Sequence, residues 1–84
     1  MNTLAARDAT MAMARLHAAS WRDLGPDMTL AHLEDMVVRW PVDGSGSKQG
    51  RWLGWMQATV VAACPAVTLE DMKQINMLWS ADPS

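Results

Sequence analysis

Eighty-four residues, half of them apolar and carrying a net charge of −2, make one small domain with a core of its own and no general affinity for phosphate backbones. A single cysteine excludes an internal disulfide and fits a reducing compartment, and no apolar run approaches the ~18 residues of a membrane span. Nothing at the start of the chain reads as a basic segment followed by an apolar one, so no signal peptide is expected and the expected location is the cytoplasm.

The chain reads as four helices. Residues 3–21 are rich in Ala, Met, Leu and Arg, all good helix formers, with Thr3 placed to cap the start. Seven alanines between positions 5 and 19 give this helix a slim surface. The Gly25-Pro26 pair breaks the pattern. A second helix over 29–40 carries Leu30, Leu33, Met36, Val37 and Trp40 on one face, and Pro41 ends it. Residues 41–47, with their Gly-Ser repeat, form the flexible connector.

The third helix, 48–63, holds the clearest pattern. Trp52, Trp55, Met56, Thr59, Val60 and Ala63 fall on one continuous face, Ser47 can cap the start, and Cys64 before Pro65 supplies a stop. A second stripe, Gly50, Gly54, Ala58 and Ala62, runs at a spacing of four. Glycine inside a helix costs roughly 1 kcal/mol relative to alanine, and a close helix neighbour is the usual offset. The third helix is therefore expected at the centre of the fold, with the slim first helix packed on its small ridge. The fourth helix, 68–79, opens on Thr68 and Asp71 as a capping box and buries Leu69, Met72, Ile75 and Trp79. A shift of 39 residues lays Pro26 on Pro65, Thr29 on Thr68, Leu30 on Leu69 and Trp40 on Trp79. The expected fold is an all-α, four-helix domain of two antiparallel helical hairpins built alike.

Chemistry-bearing residues are sparse. His17 and His32 stand on different helices with no ligand partner at metal spacing, Cys64 sits at a helix C-terminus, the wrong end to activate a thiol, and no Ser-His-Asp set or phosphate-binding Gly loop can be assembled. No metal, cofactor or enzymatic activity is expected. Lys48 and Arg51, in the first turns of the third helix behind a pliable lead-in, would suit a phosphate or carboxylate. Ion pairs with Asp43, Glu70 or Asp71 are the other reading.

The runs Ser47-Lys48-Gln49-Gly50-Arg51-Trp52-Leu53-Gly54-Trp55-Met56-Gln57 and Thr68-Leu69-Glu70-Asp71-Met72-Lys73-Gln74-Ile75-Asn76 resemble small uncharacterised proteins of tailed phages and prophages. The resemblance covers roughly residues 30–77 and singles out Lys48, Arg51, Trp52, Gly54 and Gln57. It implies a phage accessory protein in the cytoplasm of a bacterial host. Size, sparse chemistry and surplus Trp and Met imply in turn that it binds and modulates a host protein, such as an antiviral-defence component. Lys48, Arg51, Trp52 and Gln57 are the candidate ligand- or partner-binding residues. Trp40 and Trp79 are the candidate contacts of a homodimer, since each places a large ring beside a chain break. The alternatives are a module that sequesters a small anion such as a nucleotide, and a helix-turn-helix DNA-binding regulator. The second is disfavoured by the net charge and by the lack of a helix rich in Arg, Lys, Asn or Gln, so nucleic acid is an unexpected partner.

Overall fold

In the computed structural model, which describes residues 2–80, the chain is an all-α four-helix domain: α1 Thr3–Leu16, α2 Leu30–Val38, α3 Gly46–Ala63 and α4 Leu69–Ser80. Two 3-10 turns, Ala18–Ser20 and Pro26–Met28, lie between α1 and α2. Among the described residues no helix is long and apolar enough to cross a membrane.

The caps explain where the helices start. Asn2, rather than Thr3, caps α1 by accepting the Ala5 N–H at 3.0 Å. Thr29 caps α2 through the His32 N–H, and Ser45, two residues before the expected Ser47, caps α3 through the Lys48 N–H at 3.1 Å. The last residues of the Gly-Ser connector are therefore helix. The capping box of α4 forms as read: Thr68 Oγ1 accepts the Asp71 N–H at 3.2 Å and Asp71 Oδ2 accepts the Thr68 N–H at 2.8 Å. The first helix ends at Leu16, short of the expected 21. Trp21 turns away instead, its indole N–H donating to the Met28 carbonyl at 2.9 Å, while the Arg22 N–H reaches the Ala63 carbonyl at the end of α3. The loop between α1 and α2 is thus stitched to itself and to α3.

The sequence echo is real in the two elements' cores. Leu33 and Met72, then Met36 and Ile75, are buried at equivalent positions of α2 and α4. It fails at the ends: Leu69 is 62 % exposed, and Trp40 is buried where Trp79 is 36 % exposed.

The expected centre of the fold is corrected. Helix α1, not α3, is the most extensively packed: it lies along both α3 and α4 and also meets α2, while α3 and α4 meet each other less. The slim surface that permits this is α1's own: Ala6, Thr10, Met11 and Ala14 are all fully buried. The small residues that take a neighbour are therefore on α1, and the core of α3 that shares their interior is Leu53, Met56, Val60 and Ala63. With α1 wedged along one side, the Gly-Ala stripe of α3 is turned outward. Gly50, Gly54, Ala58 and Ala62 are all exposed, and a Cβ added at Gly50 or Gly54 would meet nothing within 4 Å.

A candidate interaction face between α3 and α4

The outward stripe forms one wall of a groove of about 410 Å³ between α3 and α4. Gly54, Ala58 and Ala62, with Val61, line the α3 side, and Leu69, Met72, Lys73 and Asn76 the α4 side. Smooth α3 residues and an apolar α4 rim give a surface that another α-helix can approach closely. On the far side of the stripe stands Trp55, 47 % exposed, rather than buried with the rest of the apolar face on which its spacing placed it. It widens the apolar face.

The floor of the groove is polar and closed on itself. Gln57, only 8 % exposed, donates through Nε2 to Asn76 Oδ1 at 2.8 Å and to Thr10 Oγ1 at 3.3 Å. Asn76 Nδ2 returns a bond to Gln57 Oε1 at 3.1 Å, and the Thr10 hydroxyl donates to the Ala6 carbonyl at 2.8 Å. Three helices are tied by one amide pair and one hydroxyl, so Gln57, a candidate binding residue by sequence, is instead a buried brace. Its angular place explains the misreading: it lies between the buried face and the small stripe, where periodicity alone assigns neither role.

The other candidate residues lie elsewhere. Lys48 and Arg51 are exposed at the start of α3. The Lys48 stem runs past Gly44, and Arg51 Nη1 donates to Ser47 Oγ at 3.1 Å. Trp52 is half-buried with its ring 6.1 Å from that of Trp40, edge to face at 81°. Trp40 is the clearest departure from expectation. At 6 % exposure, with the Arg7 guanidinium 5.1 Å over its ring, it belongs to the core and cannot serve as an oligomer contact. The cause is local: α2 stops at Val38, and the Gln49 amide clasps the Pro41 carbonyl at 3.0 Å, folding the chain end inward. Trp79 keeps part of its surface, and its carbonyl accepts the Asn2 N–H at 2.7 Å, closing α4 onto the start of α1.

Burial pushes the Cys64 thiol up from its ordinary value, away from the thiolate that a nucleophile needs. Among the described residues no group of three or more His, Cys, Asp or Glu side chains could hold a metal ion. Among the described residues the single ionisable group lining the groove is Lys73. The chemistry on offer at this face is apolar contact around a rigid small-residue ridge, with a cation at one rim. Compared with known families, curated proteins and solved structures, the chain matches none.

The residues that sequence reasoning missed are those of α4's rim, Leu69, Lys73 and Asn76. The stripe that faces them was legible as a ridge made for close approach; what periodicity could not say is that α1 would choose the opposite face.

Proposed function

We propose that this is a non-enzymatic binding protein that acts by docking its α3–α4 face against a helix of another protein. The observation that supports the reading is the exposed Gly50-Gly54-Ala58-Ala62 ridge, flanked by Trp55 and Leu69. The cost of two helix-interior glycines, roughly 1 kcal/mol each, is not offset inside the domain, because among the described residues no neighbour uses the space they leave. Large exposed apolar side chains beside them mark a contact surface. The phage-like runs at 47–57 and 68–76 extend the reading: the partner is a bacterial host protein, and the domain is a phage or prophage accessory that modulates it.

The test is site-directed photocrosslinking in bacterial cells. A photoreactive residue at Ala58, inside the groove, should yield a discrete heterologous adduct. The same residue at Ala31, exposed on α2, should not. Identical adduct patterns from both positions, or no heterologous adduct from Ala58, would contradict the proposal.

A further inference from the structure

The charge pattern of α3 points to an occupant for this face. An isolated helix is favoured by acidic groups in its first turn and basic groups in its last. Helix α3 has neither: no acidic residue in the first turn, no basic residue in the last, and its two charges, Lys48 and Arg51, both near the positive N-terminal end. A second helix laid antiparallel along α3 would bring its C-terminal, negative end over those cations.

The face is also matched to itself. About a two-fold axis crossing α3 at the level of Met56, Gly54 lies opposite Ala58 of a second copy and Gly50 opposite Ala62. Small residues then meet small residues around the crossing point. The same axis sets the Arg51 end of each α3 beside the C-terminal end of the other, twice per pair. Ridges of residues spaced by four interleave at about 50°, the commonest helix-packing class, and Trp55 and Leu69 lie at the margins where such helices diverge.

We infer that the occupant of the α3–α4 face in the free protein is a second copy of this chain, packed α3 against α3 in an antiparallel two-fold dimer. The inference rests on the docking role proposed for this face and names its partner; a foreign helix would then compete with the second copy for the same ridge. The expected contact is modest. Helix α3 has 18 residues, so it is about 27 Å long, and with the α4 rim the face is about 20 Å wide. That gives on the order of 500 Å² per protomer, against about 800 Å² for a standard stable interface, so a weak, reversible dimer is expected.

Sedimentation equilibrium on the purified full chain tests this. The wild type should show a mass rising with concentration from 9.2 kDa toward twice that value. Gly54→Leu and Ala58→Glu, both at exposed positions, should remain at 9.2 kDa with unchanged helical circular dichroism, and Arg51→Glu should weaken the dimer several-fold. A wild-type mass of 9.2 kDa at every concentration would overturn the inference and leave the face to a foreign helix, and a dimer that survives Gly54→Leu or Ala58→Glu would move the interface elsewhere. An Arg51→Glu dimer as tight as the wild type would overturn the antiparallel arrangement. None of these outcomes bears on whether Ala58 crosslinks a host protein, so this inference and the docking role fail separately.

Discussion

Replacing Gly54 by alanine should stabilise the monomeric fold by nearly the full difference in helix propensity, about 0.8–1 kcal/mol. The gain comes chiefly from restricting the unfolded chain, since glycine loses more backbone freedom on folding than alanine does. Helical φ and ψ at this position suit alanine, and the new methyl meets no atom within 4 Å, so no steric penalty subtracts from the gain. For a chain of 84 residues that corresponds to a rise in Tm of roughly 4–8 °C. Gly54→Leu should also leave the monomer folded and at least as stable, because leucine is a good helix former and the space is open. A control in the interior should behave oppositely: Ala14→Leu, at a fully buried site on α1, should cost about 1–3 kcal/mol by overpacking. The assay is urea unfolding followed by far-ultraviolet circular dichroism, at dilutions where the midpoint no longer depends on protein concentration. The m-value should be the same in all variants. A Gly54→Ala midpoint equal to or below the wild type would refute the reasoning, because it would mean that a neighbour does occupy the α3 stripe within one chain.

Gln57→Ala should destabilise the domain by about 1–3 kcal/mol, since it unpairs Asn76 and withdraws a donor from Thr10; equilibrium unfolding reads the loss, and an effect near zero would show that the amide pair is not a brace. Thr59→Val should stabilise by about 1 kcal/mol, because the Thr59 hydroxyl is buried with no hydrogen-bond partner among the described residues and valine fills nearly the same volume; a lower unfolding midpoint would contradict this. The raised Cys64 pKa fixes a sign for pH: the folded state favours the neutral thiol, so its contribution is fully present below the ordinary thiol pKa and is lost as pH rises through the folded-state value. Stability of the wild type relative to Cys64→Ala should therefore fall on the alkaline side, and parallel pH profiles for the two proteins would sink the assignment.

Much of the architecture could be read from residue order alone, and the reasons are local. Thr29, Thr68 and Asp71 announce helix starts by chemistry that acts within three residues, and the cores of α2 and α4 follow from apolar spacing. What failed depends on which faces meet. The α3 stripe and the α1 alanines are both slim, and nothing local to either segment says that α1 buries its own small residues while leaving those of α3 exposed. Trp40 failed for a related reason: a ring next to a chain break reads as exposed unless one knows that Gln49 and Arg7 close over that corner. Gln57 lay at the border between two helix faces, and only its partners Thr10 and Asn76, from helices distant in sequence, reveal it as structural.

The claim on which the account turns is that the α3–α4 face is where two copies of this chain dock. Amide chemical shifts of the isotope-labelled chain, followed from dilute to concentrated solution, test it residue by residue. The account predicts concentration-dependent shifts confined to Gly50, Gly54, Trp55, Ala58, Ala62, Leu69 and Lys73, with α2 and the corner around Trp40 unmoved. Shifts gathered at Trp40 or along α2, with the Gly-Ala ridge of α3 silent, would contradict it.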